Sequence, residues 1–305
     1  LRTFDAYAEM ADAGDLPIRV HACLRSESLE LAAARGLRSG SPLGHAPDGR
    51  AKVGWLKLFA DGTLGSQTAA LLEPRAGSTD HGVFRTSPDE LRDLAQRAAE
   101  VGIASQIHAI GDAAARASLD ALEPTVDRVP LMPRLEHVQL VHPDDLGRLA
   151  AGRIAASVQP VHLREDAATA RRDWGDRAEA WGYTWRSIVE SGAVLAFVTD
   201  APVEPIDPWP GIALAVLRRD PGWGIHAQPF GPHEALTLEQ ALRAATVGPS
   251  ITAREPDRGR LVPGARADLL ILPAAPSEAT EDAATGFARV RPRLVLMDGE
   301  VAFEA

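Results

Sequence analysis

Four polar side chains interrupt apolar segments that have the composition of buried strands. Lys57, His108 and His137 each lie inside such a segment, and Asp200 directly follows another. A single strand histidine is more often a hydrogen-bonded structural residue than a ligand. Four residues of this kind on separate strands instead indicate a shared site, and imidazole nitrogens and carboxylate oxygens are donors that zinc accepts. The set therefore favours a metal centre with a position left open for water.

Lys57 is the member of this set that needs a separate explanation. Its ammonium group cannot bind a metal, and a buried unpaired charge is costly. Three interpretations stay open from the residues alone. The amine is an uncharged Schiff-base nucleophile, or it is carboxylated to an anionic carbamate that bridges two metals, or it is a structural lysine that extends to solvent or pairs with Asp61.

The elements that must position these residues alternate between short apolar strands and amphipathic helices, an order typical of a parallel sheet. Ser87, Pro88 and Glu90 predict one helix start, and Asp112 is expected to cap an alanine-rich helix. Leu1 to Gly14 has helical spacing. The predicted strands are 18–24, 54–59, 103–109, 134–139, 154–160 and 194–199.

The spacing of these strands favours an α/β fold of the (β/α)8 TIM-barrel type, which uses roughly 30 residues per unit. Six strands precede position 200, two fewer than a closed barrel needs. The sequence has no initiator methionine and opens inside a predicted helix. We therefore expect the first two strands to lie in residues upstream of Leu1.

The character of the chain changes after residue 254. A turn-rich segment at 259–264 leads into the apolar run 267–272, and 293–297 and 301–303 are apolar runs separated by Asp298 and Gly299. An Asp-Gly pair between apolar runs is typical of a hairpin. We predict a barrel domain over 1–254 and, over 255–305, the C-terminal part of a small β-sandwich.

The composition limits the classes of partner. The 305 residues include 45% hydrophobic and 24% charged residues, with a net charge of −10 and a single cysteine, Cys23. The acidic balance argues against nucleic acid or an anionic membrane as a partner. No apolar run reaches the ~18 residues of a transmembrane helix. One cysteine cannot form an intramolecular disulfide, so we expect a reducing, cytoplasmic location.

Several ordered motifs resemble one enzyme family. The segment 57–66, KLFADGTLGS, is similar to the fourth-strand motif of the amidohydrolase superfamily, in the branch of N-substituted formamide deformylase and YtcJ-like hydrolases. The segments HAIGD, LEH, SVQPVHL and TDAPVEP, which begin at 108, 135, 157 and 199, resemble the fifth to eighth strands in order. GRLVPGARADL at 259–269 resembles the return to the small β-sandwich.

The resemblance implies a metal-dependent hydrolase that cleaves a carbon–nitrogen bond of the amide or formamide type. His108 and His137 would be metal ligands, and Lys57 would be the carboxylated bridging ligand. Asp200 would bind metal and act as general base toward the attacking water. The cofactor would be one or two divalent ions, zinc by preference. His162, at the end of the seventh strand, either contacts substrate or packs structurally.

The family's His-x-His pair on the first strand is absent from the printed sequence. Either the native protein is longer, which we expect, or the chain is a catalytically inactive remnant. A Schiff-base lyase or aldolase barrel that uses Lys57 is a further alternative. We expect a small-molecule substrate, with an apolar N-acyl or N-formyl amine as the first candidate, and a homodimer is compatible with the sequence.

Overall fold

The computed structural model describes residues 1–45, 49–224, 226–273 and 290–305. Within them, six parallel strands alternate with helices and pair strictly in chain order, β1 to β6. This order confirms the predicted alternation and the parallel sheet. The strands are β1 Val20–Leu24, β2 Ala51–Phe59, β3 Ser105–Ala109, β4 Arg134–His137, β5 Ala155–Val158 and β6 Leu195–Phe197.

Ten α-helices are present in the described residues. Single-turn 3₁₀ helices cover Ser26–Ser28, Glu123–Thr125, Pro160–His162, Pro221–Trp223 and Pro232–Glu234. The α-helices are α1 Arg2–Ala13, α2 Leu29–Ala34, α3 Pro88–Glu100, α4 Asp112–Leu122, α5 Pro143–Ala151, α6 Leu163–Trp174, α7 Arg177–Trp181, α8 Trp185–Glu190, α9 Trp209–Leu217 and α10 Leu238–Thr252.

Side-chain caps in the local sequence begin α3 and α10. The Ser87 side chain accepts from the Glu90 amide at the start of α3. Thr237 and Gln240 form a reciprocal capping box at the start of α10. Asp112 is not the cap of α4 as predicted, because Gly111 occupies that position. The Asp112 carboxylate instead accepts from the amides of Leu72 and Ala113 and so ties the loop after β2 to α4.

A separate three-stranded antiparallel sheet lies at the C-terminal end, formed by β7 Leu269–Ile271, β8 Leu294–Met297 and β9 Glu300–Glu304. Asp298 and Gly299, both at positive φ, make the predicted hairpin turn between β8 and β9. Arg19 links this sheet to the larger one, through ion pairs of 2.7 Å with Asp268 and 2.5 Å with Asp298. The division at residue 254 stays a prediction.

The described residues therefore form a six-stranded parallel half-barrel sheet and a small antiparallel sheet. The closed eight-stranded barrel stays a prediction. Apolar residues of the strands and helices form one main core, in which α10 packs against β6. None of the described helices is long and apolar enough to cross a membrane. The parallel sheet matters most for function, because it brings the ends of its strands to a common edge.

Candidate functional site

The side chains predicted to carry chemistry lie at the carboxyl ends of the parallel strands. Register pairs Phe59 of β2 with His108 of β3, and His108 with Glu136 of β4. Lys57 is two residues before Phe59, so β2 presents both on the same face of the sheet. This face carries a row of polar groups in an otherwise apolar sheet.

His137 reaches this face through an unusual backbone conformation. Side chains alternate along a strand, so a regular β4 would place His137 opposite to Glu136. His137 has φ +75° and Val138 has φ +49°, both in the left-handed region. The bend brings the His137 ring to 4.5 Å from the His108 ring, centre to centre. Such conformations outside glycine are costly and are often found at functional sites.

His108 is oriented by a hydrogen bond to the loop after β2. Its Nε2 lies 2.7 Å from the carbonyl oxygen of Gly62. A carbonyl can only accept, so Nε2 carries the proton and Nδ1 is the nitrogen with a free lone pair. Burial is the main reason that the pKa of His108 falls to about 4. The imidazole is therefore neutral at pH 7, the form that binds a metal.

Asp61 organises the backbone around His108. Its carboxylate is fully buried and accepts from the amides of Ala70, Ile110 and Gly111 at 2.9, 3.1 and 2.9 Å. Asp61 Oδ1 also lies 3.4 Å from Nε2 of His108. The sequence interpretation that paired Asp61 with Lys57 missed this role. The sequence signal that could have predicted it is an aspartate directly after a strand and before a glycine-rich loop.

We expect Asp61→Asn to destabilise the fold. The difference in free energy of unfolding between the wild type and the variant should become smaller as pH rises from about 4 to 7. An amide cannot accept all three amide hydrogens, and each buried group left unpaired costs about 1–3 kcal/mol. Burial raises the pKa of Asp61 from 3.8 to about 7, so in this window the folded state holds a proton that the unfolded state releases. The free energy of unfolding of the wild type therefore falls by up to about 1.4 kcal/mol per pH unit because of Asp61. The variant has no titrating group at this position, so it lacks this pH dependence.

Urea unfolding of the wild type and of Asp61→Asn between pH 4.5 and 7 measures the difference in their free energies of unfolding. The other titratable groups are the same in both proteins, so their contributions cancel. The exposed Asp127, which pairs with Arg153, supplies the control Asp127→Asn. A cost of Asp61→Asn that is constant across the range would contradict the raised pKa.

Lys57 lies between acidic and basic neighbours on the polar face. Burial is the largest influence and lowers the pKa of Lys57, while Glu136 and Asp200 act in the opposite direction and Arg134 adds to the lowering. Glu136 is itself paired with Arg134 at 2.7 Å. The amine therefore loses its proton more readily than a surface lysine, which a carbamate or a Schiff base each requires.

Asp200 and His162 complete the set. Asp200 follows β6 with φ +62°, and its Oδ2 lies 3.9 Å from Nε2 of His162. The rings of His162 and His137 are stacked with centres 5.8 Å apart. Burial raises the pKa of Asp200, while His162 and Lys57 lower it. The structure therefore brings together all five residues singled out in the sequence.

Unpartnered nitrogens mark the same region. Nδ1 of His137 and Nε2 of His162 are buried and find no hydrogen-bond partner among the described residues. Burial also lowers the pKa of His137 well below 6.5, so this ring is neutral. Across residues 1–45, 49–224, 226–273 and 290–305, no three His, Cys, Asp or Glu side chains form a metal-holding group on their own.

Comparisons with known proteins bear on the whole chain. A model of the Amidohydrolase family matches residues 1–303. Putative amidohydrolase YtcJ of Bacillus subtilis (strain 168) is 30% identical over 272 residues, which are 88% of this chain and 49% of YtcJ. N-substituted formamide deformylase of Arthrobacter pascens is 28% identical over 265 residues, 82% of this chain and 46% of that enzyme.

A solved structure with a similar fold belongs to an uncharacterized metal-dependent hydrolase from Pyrococcus horikoshii OT3. It is 31% identical with a TM-score of 0.77, and the match covers 88% of this chain and 53% of that one. The chain spans about half the length of the curated relatives it matches. The family match over nearly all residues confirms the resemblance found in the motifs, and the chain belongs to the amidohydrolase family.

Proposed function

We propose that this chain carries the catalytic metal site of a hydrolase that cleaves an amide or formamide carbon–nitrogen bond of a small molecule. The observation that carries the proposal is the convergence of Lys57, His108, His137 and Asp200 from four different strands onto one polar face. The names of two relatives support this proposal, since one is a formamide deformylase and the other a metal-dependent hydrolase.

The residues present fit a divalent metal. Nδ1 of His108 carries no proton, because Nε2 of that ring donates to Gly62, and Nδ1 of His137 is buried without a hydrogen-bond partner among the described residues. Lys57 would contribute as a carbamate, and Asp200 as a carboxylate. A bound divalent ion, zinc by preference for this donor set, supplies activation of water and polarisation of the scissile carbonyl.

The chain's own residues would move the proton. Asp200 is half-buried, and its raised pKa makes its carboxylate a better proton acceptor than a surface aspartate. In the proposed reaction it takes a proton from the attacking water and delivers it to the departing amine. His162, beside Asp200, would orient the substrate.

We further propose that the protein acts in the cytoplasm, and that a homodimer is the assembly to test first.

Metal content of the intact protein tests the proposal. We expect one to two zinc ions per chain by elemental analysis, loss of amide hydrolysis after chelation, and its return when zinc is added. His137→Ala is expected to lower metal content by at least half, because this ring has the buried unpartnered nitrogen. His81→Ala, on an exposed loop, is the matched histidine control. Metal-free protein with full hydrolytic activity would overturn the proposal.

A further inference from the structure

An arginine with no ion-pair partner among the described residues lies at the rim of the proposed metal site. Arg85 is exposed and belongs to the loop 60–87, which joins β2 to α3. Its Cζ lies 5.9 Å from the centre of the Phe59 ring, and the rings of Phe59 and His108 are 5.5 Å apart, centre to centre. Arg85 also interacts electrostatically with His108. One aromatic ring therefore separates this guanidinium from a proposed metal ligand.

Backbone contacts hold Arg85 beside the end of β2. Its amide donates to the carbonyl oxygen of Ala60 at 2.8 Å, and Phe84, just before it, forms an antiparallel bridge with Asp61. Ala60 and Asp61 directly follow β2, the strand that carries Lys57. The loop thus returns to the carboxyl edge of the sheet, where the proposed ligands also lie.

The charge of Arg85 is not neutralised by its surroundings. Within the part of the chain that the structure describes, no carboxylate forms an ion pair with its guanidinium and no acceptor forms a hydrogen bond with it. Arg134 on the polar face differs, because Glu136 lies 2.7 Å from it. The two anionic groups of the proposed site, the carbamate of Lys57 and the carboxylate of Asp200, would be engaged by the metal. Arg85 therefore keeps a positive charge that solvent, and hence a ligand, can reach.

Apolar side chains lie beside this charge. Val83 and Phe84 precede Arg85 and are large apolar residues that stay exposed. The Phe59 ring lies under the guanidinium and adds a third apolar surface. Exposed apolar groups next to one unpaired cation fit a compound that joins an apolar chain to a single anionic group.

We propose that Arg85 binds a carboxylate of the substrate, so that the substrate class is N-acyl or N-formyl amino acids rather than neutral amides. Carboxylate oxygens fit the planar fork of guanidinium donors in a bidentate pair. The side chain of the amino acid would contact Val83 and Phe84. This inference rests on the proposed function, because it names the substrate class of that same site.

Two compounds that differ in the charge of one group test the inference in the zinc-loaded intact protein. N-formylnorleucine has the carboxylate, and N-formylnorleucinamide has a neutral carboxamide of nearly the same shape. We expect the wild type to prefer the carboxylate by about fivefold to twentyfold in kcat/KM, mainly through KM, the range between an exposed ion pair and a shielded charged hydrogen bond. Added salt should reduce the preference, because salt screens exposed charges.

Substitutions at Arg85 separate the effect of charge from general damage. Arg85→Gln should reduce the preference to about twofold or less, Arg85→Lys should keep part of it, and Arg85→Glu should reverse it, since the charge determines the ratio. Arg153→Gln is the matched control, because Arg153 is an exposed arginine just before β5, at the opposite edge of the sheet. Equal preference ratios in the wild type and Arg85→Gln would overturn the inference.

A different role for Arg85 gives a different result. If the guanidinium pairs with the carbamate of Lys57 instead, Arg85→Gln would lose metal and would lose activity on both compounds to the same extent. Elemental analysis of Arg85→Gln therefore accompanies the kinetics, and this outcome also overturns the inference.

Calorimetry distinguishes failure of the inference from failure of the proposed function. Binding of N-formylnorleucine that is tighter than binding of the carboxamide and weakens in Arg85→Gln, without hydrolysis, would support the carboxylate subsite and contradict the proposed reaction. Hydrolysis of both compounds at equal kcat/KM would support the reaction and contradict the subsite. Binding of neither compound would overturn the inference outright.

Discussion

Replacing Asp200 with asparagine is expected to lower kcat for amide hydrolysis by about a hundredfold to ten-thousandfold, the range for a lost general acid–base group. Asparagine has nearly the same shape but cannot take a proton from water. Elemental analysis of the variant, after loading with zinc, must accompany the kinetics, because the side chain is also proposed to bind metal. Loss of turnover at unchanged metal content would assign the effect to proton transfer.

The pH profile sharpens this experiment. The proposed reaction needs the carboxylate form of Asp200. Wild-type kcat should therefore have its full value at pH above the pKa of Asp200 and fall as pH drops through that pKa. Burial raises the pKa of Asp200 in the protein without metal, and a bound divalent cation would lower it, so the midpoint of the fall measures the balance of the two effects. Glu204→Gln changes another carboxylate of the same loop and should leave the profile unchanged. An acidic limb that persists in Asp200→Asn would contradict the assignment.

Replacing Lys57 with alanine is expected to remove at least one metal ion per chain and to lower activity by at least about a thousandfold, since metal and Lewis-acid activation are lost together. Lys57→Arg keeps a positive charge and much of the length but cannot form a carbamate, and it should be equally inactive. Partial rescue of Lys57→Ala by added acetate would support a carboxylate role for the modified lysine. Lys52→Ala, on the same strand but paired with Glu255, is the matched control.

The same experiment separates the hydrolase from a Schiff-base enzyme. A lowered pKa of Lys57 is compatible with both chemistries. A Schiff-base enzyme would work without metal, and borohydride would trap a carbonyl compound on Lys57 in the wild type but not in Lys57→Ala. Trapping together with metal-independent activity would contradict the hydrolase proposal.

Periodicity and composition were sufficient to predict the elements of the fold. All six strands of the parallel sheet lie where apolar runs predict them, with ends that differ by up to three residues. Side-chain caps such as Ser87 and Thr237 act within one helical turn, so their effect could be predicted locally. The convergence of Lys57, His108 and Asp200 could be predicted because parallel strands end at a common edge.

Contacts between distant segments could not be predicted in this way. Alternation along β4 places His137 on the wrong face, and only the left-handed bend corrects it. Asp61 accepts hydrogen bonds from the amides of Ile110 and Gly111, 49 and 50 residues away, and the backbone amide of Tyr183 donates to the carbonyl oxygen of Gln139 across another loop–helix unit. Such contacts depend on loop paths, which hydrophobic periodicity does not determine.

The left-handed bend at the end of β4 also has a consequence for how this sequence can change. Val138 is a β-branched residue at φ +49°, where such side chains are strongly disfavoured, and strained residues of this kind cost about 1–3 kcal/mol each. Glycine at this position would relieve the strain, but it would also loosen the adjacent backbone, where His137 must keep its orientation. Selection for thermal stability alone would therefore act against this bend, whereas selection for turnover would retain it.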